Sequence, residues 1–118
     1  MTRPRKIIGA PWFTPESYGS CRFQMADKET MPLDFRDWRE DAQSRIQAIE
    51  EAGQNALKVK IDPGRFPAWC REQGLAADAR ARQRYANFYA FRWAIARDPD
   101  RAPTTGSYNW LILFSILF

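Results

Sequence analysis

The chain contains no histidine. That absence excludes serine or cysteine catalysis driven by an imidazole base, histidine metal sites and histidine pH switching. Acids, Lys, Tyr and Cys are left as proton-transfer groups. Cysteine is nearly as scarce, with only Cys21 and Cys70, 49 positions apart and in no C-x-x-C pair. With no signal peptide ahead of them, both read as reduced thiols of a cytoplasmic protein. No apolar run approaches the length of a transmembrane helix; the longest, near the C-terminus, has about half of what a span needs. Nucleotide-binding glycine loops and metal-spaced clusters are missing as well, so nothing in the residues calls for a cofactor.

What is present is the composition of one ordinary domain: 118 residues, 45% hydrophobic, 14% aromatic and 27% charged. A chain of this size buries enough surface to form a core without a disulfide or a metal. The formal net charge of +4 is unevenly spread. Residues 63–97 carry seven basic and two acidic side chains, whereas residues 34–62 carry five and seven. The basic excess therefore sits in one segment, which is where an anionic partner would be met.

Ile7 and Ile8 read as a short strand over residues 6–8, with regular structure expected to stop where Pro11 removes an N–H. Thr14-Pro15-Glu16 is a helix-start signal, with threonine as cap and proline in the first turn. Gly19 weakens the helix that follows. Phe35, Trp38, Ala42, Ile46, Ile49 and Ala52 step by three or four and predict an amphipathic helix. Asp34 is its expected cap, Leu33 and Trp38 stand at the positions of a hydrophobic staple, and Gly53 marks its end. Leu57, Val59 and Ile61 alternate with lysines, the two-residue rhythm of a half-buried strand over 56–61. Asp62-Pro63 is again a cap before a short helix whose buried side carries Phe66, Trp69 and Cys70 and which Gly74 ends; Pro67 moves its expected start to Arg65 or Phe66. From Ala76 to about Ala96 a long helix rich in alanine and arginine crowds Tyr85, Phe88, Tyr89, Phe91, Trp93 and Ile95 on one broad side. Residues 98–107 have linker composition, and residues 108–118 form an apolar tail that would be an aggregation hazard if exposed.

Positions 8–90 resemble a family of small uncharacterised bacterial proteins. The resemblance rests on Gly9-Ala10-Pro11-Trp12-Phe13, on Asp34-Phe35-Arg36-Asp37-Trp38, and most specifically on the run from Ile61-Asp62-Pro63 through Phe66 to Ala68-Trp69-Cys70. It implies a shared fold and supplies no catalytic residues. The tail from about Pro99 departs from that pattern.

The expected fold is α/β in the α+β sense, with about four helices on a two- or three-stranded sheet. Residues 1–97 form the single domain, and the tail is a candidate third strand. Phe35, Trp38, Ile46, Ile49, Val59, Ile61, Phe66, Trp69, Phe88 and Ile95 are the expected core. Asp62 is explained as a helix cap and Cys70 as core filling, since neither has a visible catalytic partner. Trp12, in the expected turn, is the best candidate for an aromatic whose role is not only packing. Arg80, Gln83, Arg84 and Asn87 fall within about 100° of one another on the last helix, and Arg, Asn and Gln are the usual readers of base edges. Arg92 lies near the middle of the aromatic side, where its head must stack, pair or reach water.

The leading functional expectation is a non-enzymatic binding or protein-interaction module, with an unknown protein partner or self-association. A nucleic-acid-binding protein using residues 63–97 is the alternative, and an enzyme of unidentified type the third.

Overall fold

Pro11 lies inside a strand. The computed structural model describes residues 6–97, and its first strand, β1, runs Ile7–Trp12 without a break. It pairs in parallel with β2, Asn55–Lys60, with Ile7 opposite Asn55 and Trp12 opposite Lys60. Register explains the tolerance. The Lys6 carbonyl accepts from the Asn55 N–H at 2.9 Å and the Trp12 carbonyl from the Ile61 N–H at 2.8 Å. Even-numbered residues of β1 and odd-numbered residues of β2 therefore turn their backbone groups toward each other. Pro11 is odd, so its missing N–H falls on the outer edge and breaks no ladder bond. The expected strand of residues 6–8, ended by Pro11, is corrected accordingly.

Between the strands come α1 (Tyr18–Phe23), a 3₁₀ turn at Lys28–Thr30 and α2 (Phe35–Glu51). After β2 come α3 (Arg65–Gln73) and α4 (Ala79–Arg97). Among the described residues the result is a mixed α/β fold of four helices and a two-stranded parallel sheet. The candidate third strand, the linker and the tail lie outside the described residues.

Local signals were realised unevenly. Thr14 caps the turn that leads into α1: its hydroxyl accepts from the Ser17 N–H at 3.2 Å and bonds the Ser17 hydroxyl at 2.8 Å, its carbonyl accepts from the Tyr18 N–H at 3.0 Å, and α1 itself starts at Tyr18. Asp34 occupies the cap position of α2 but makes no side-chain cap bond. The staple is not formed, because Leu33 is 84% exposed while Trp38 is buried. Gly53 and Gly74, at φ 82° and 67°, end α2 and α3 in the left-handed region that glycine enters without strain. Pro67 is the third residue of α3, within the first turn, where N–H groups have no intrahelical partner to lose. Asp78 caps α4, accepting from the Ala81 N–H at 3.0 Å, a start signal the sequence reading passed over.

The core centres on Phe13, Cys21, Ile61 and Phe66. Trp38 meets Phe13 edge-on at 4.9 Å between centroids, and Tyr85 meets both Phe66 and Trp69 at 5.3 Å. Of the expected core, Trp38, Ile61, Phe66, Trp69 and Phe88 are buried, while Phe35, Ile46, Ile49, Val59 and Ile95 are half-buried. Tyr18, Met25 and Met31 join the core from the segment between β1 and α2. Alanines line the buried side of α4, Ala86 and Ala90 completely. A Cβ on Gly9 would collide with the Ala86 backbone. Glycine and alanine together thus let α4 lie directly on β1.

Candidate functional site

Contact between α4 and β1 decides what the polar side chains of α4 do. The Gly9 N–H donates to Asn87 Oδ1 at 2.9 Å, and Gln83 Nε2 donates both to the Gly9 carbonyl and to Asn87 Oδ1. Gly9 is odd-numbered, so both of its groups point away from β2. Two side chains one helical turn apart therefore satisfy the backbone that an edge strand would leave open. Gln83 and Asn87, read as candidates for base recognition, are placed instead as the cover of the β1 edge. Arg80 and Arg92 are exposed and Arg84 is half-buried. Arg92 stacks on Phe88 at 5.6 Å. Arg84 has its Nε buried with no partner among the described residues. The structure does not bring these arginines together with Trp12.

Trp12 closes β1 rather than standing in a turn. It is half-buried, meets Trp38 edge-on at 5.1 Å, and carries the Lys58 ammonium over its ring at 4.1 Å.

A cleft opens where the cover of β1 stops. It has a volume of about 380 Å³, between the end of β1, the 27–32 segment, α2 and the first turn of α4. That size falls within the range of small-ligand sites. Pro11, Phe13, Met31 and Trp38 give it an apolar wall; Asp27, Asp41, Arg45, Arg82 and Gln83 give it polar groups. An adjoining apolar recess of about 70 Å³ shares Pro11, Arg45 and Gln83 with it and is lined by Ala42, Ile46 and Ile49. The carbonyls of Gly9 and Pro11 point the same way. The Gly9 carbonyl takes Gln83, while that of Pro11 faces the cleft side without a partner among the described residues.

Two kinds of charge line this cleft. Arg82 grips Asp27 in a two-pronged ion pair, Nη1 to Oδ1 at 2.8 Å and Nη2 to Oδ2 at 2.9 Å, with the side chains 11% and 21% exposed. Hydrogen bonding to Arg82 holds the Asp27 carboxyl below the usual carboxylate range, against the opposing effect of its partial burial. The pair is fixed scaffolding: it ties the 27–32 segment to α4. Asp41 and Arg45 differ. They stand four residues apart on α2, both exposed, and neither has a hydrogen-bond or ion-pair partner among the described residues. The cleft thus offers one free carboxylate and one free guanidinium.

Sequence reasoning missed all four of these residues. Asp27 and Arg82 are 55 positions apart and carry no local signal. Asp41 and Arg45 belong to the hydrophilic side of α2, which reads as solvated.

Other titratable groups fall outside the cleft. Asp62 Oδ2 accepts from the N–H of Gly64 at 2.9 Å and of Arg65 at 2.7 Å, and those bonds lower its pKa. It is the helix-start cap expected of it. Burial raises both thiols, Cys70 to about 11, which suits core filling rather than nucleophilic chemistry. Both cysteines are free. Among the described residues no group of three or more His, Cys, Asp or Glu side chains is placed to hold a metal ion, and no helix is long and apolar enough to cross a membrane.

Comparison of the chain with protein-family models, with curated proteins and with solved structures gives no match.

Proposed function

We propose that this protein is a non-catalytic binding module whose cleft takes a small zwitterion: a molecule of amino-acid size with a carboxylate, an ammonium and an apolar stem. One observation carries the reading. Asp41 and Arg45, opposite in charge and one helical turn apart, face a cleft of about 380 Å³ without partners among the described residues. A ligand ammonium would meet Asp41, a ligand carboxylate would meet Arg45, which favours planar acceptors, and the stem would enter the recess beside Ile46 and Ile49. Binding is favoured over catalysis because the other carboxylate in the cleft, Asp27, is held ionised and committed to Arg82. A general acid or base needs a pKa nearer the working pH.

Thermal unfolding of the full chain against a panel of apolar amino acids, their decarboxylated amines and their deaminated acids tests this. A ligand at a hundred times its Kd adds about 2.7 kcal/mol, a rise of several degrees for a domain of this size. Zwitterions should raise the midpoint and the singly charged analogues should not, and Asp41→Asn and Arg45→Ala should each abolish the rise. A panel without effect, or a rise that both substitutions leave intact, would refute the proposal.

A further inference from the structure

The two edges of the sheet are treated oppositely. On β1, α4 covers Gly9 and Pro11 has no N–H to expose. On β2, the odd-numbered residues face β1, so the backbone groups of Ala56, Lys58 and Lys60 point outward. None of these residues has a backbone partner beyond the two-stranded sheet among the described residues. Lys58 and Lys60 are exposed. β2 therefore presents a row of alternating donors and acceptors six residues long at most, the template on which an extended chain adds a strand.

We infer that the outer edge of β2 is a docking site for an extended acidic peptide of a partner protein, bound by strand addition. Charge selects this occupant. Lys58, whose ammonium rests over the Trp12 ring of β1 at 4.1 Å and would swing from it to meet an acid, and Lys60 project from the same face of the strand, and a residue directly opposite each would share that face. Acidic side chains there form favourable cross-strand pairs. On the other face lie the half-buried Leu57 and Val59, so the positions between the acids should be apolar. The recognised pattern is an alternation of acidic and β-branched residues. A second copy of this chain fits poorly, because pairing β2 with β2 about a two-fold axis sets Lys58 against Ala56, Lys58 or Lys60 and never against an acid. The tail of residues 108–118 contains no acidic side chain to answer the lysines.

The probe is an end-capped eight-residue peptide alternating Glu and Val, titrated into the full chain while amide hydrogen exchange is followed residue by residue. Without peptide, the amides of Ala56, Lys58 and Lys60 should exchange freely; with it, all three should slow. Lys58→Pro removes a single outward N–H, as Pro11 does on β1, and should abolish the protection while leaving the fold's circular dichroism unchanged. Lys58→Glu with Lys60→Glu keeps the backbone edge and should weaken the peptide about tenfold or more, with high salt narrowing the difference. Protection of the three amides without peptide overturns the inference: if independent of concentration, the chain's own tail holds the edge, and if concentration-dependent, a second copy does. Peptide binding that leaves these amides fast, or is equal in the double Glu variant, overturns it as well. The cleft stands or falls separately, since this experiment does not involve Asp41 or Arg45.

Discussion

Asn87 Oδ1 accepts the N–H of Gly9 at 2.9 Å across 78 positions of sequence, so a helix side chain stands where a neighbouring strand would otherwise be. With Gln83 on the Gly9 carbonyl, α4 replaces a third strand on that side. Asn87→Ala would leave a part-buried N–H without a partner, a loss of about 1–3 kcal/mol in urea unfolding. Arg80→Ala, about two turns away and exposed, should change stability by less than about 0.5 kcal/mol.

Gly9→Ala and Gly53→Ala should separate two reasons for glycine. At Gly9 the added methyl meets the Ala86 backbone, and α4 has to move off the strand. Overpacking of this kind costs about 1–3 kcal/mol, and the amide at position 9, no longer held by Asn87, should exchange faster. At Gly53 nothing lies within 4 Å, and only the positive φ of 82° is at stake, worth about 1–2 kcal/mol. A Gly9→Ala variant as stable as the parent, with the amide at position 9 as slow to exchange, would argue against the close approach of α4.

Much of this fold is legible locally. The apolar stepping of α2, the alternation of β2 and the turns at Gly53 and Gly74 follow from neighbours a few residues apart. Pro11 misled because whether a proline breaks a strand depends on which edge its nitrogen faces, and that depends on the register with β2. Gln83 and Asn87 carry the residue types of a base-reading face, yet their partner is a glycine more than seventy positions upstream. The cleft was least visible, since Asp41 and Arg45 are ordinary residues of a wet helix face until the 27–32 segment is folded against them.

Stability should fall on both sides of neutral pH. The Asp27 and Asp62 carboxyls are lowered, the first by Arg82 and the second by the N–H groups of Arg65 and Gly64. A lowered carboxyl contributes stability that is complete above the unfolded value, about 3.9, and lost as pH falls through the folded one. Asp27→Asn should therefore destabilise at pH 7 by about 1–2 kcal/mol and flatten the decline below pH 4. At the alkaline end, burial raises Cys70 from 9.0 to about 11 and Tyr85 from 10.0 to about 12. Their contribution is complete below the unfolded values and disappears as pH climbs toward the folded ones. Urea midpoints measured from pH 2 to pH 11 check both limbs.

The two thiols should be silent in the native protein. Cys21 and Cys70 are 1% and 2% exposed and both are raised by burial. An aromatic disulfide reagent at pH 8 should titrate neither within minutes, and both in denaturant. Rapid reaction of either thiol in the native chain would place it outside the core.

Among the described residues one edge of the sheet is covered by α4 and the other has no partner, and a single hydrogen-exchange experiment on the full chain compares them. The Gly9 amide, held by Asn87, should exchange far more slowly than the Lys58 amide, which points away from β1 into solvent. Two fast amides would contradict the covering of β1 by α4, and two slow ones, or a Lys58 amide slower than that of Gly9, would contradict the open edge of β2.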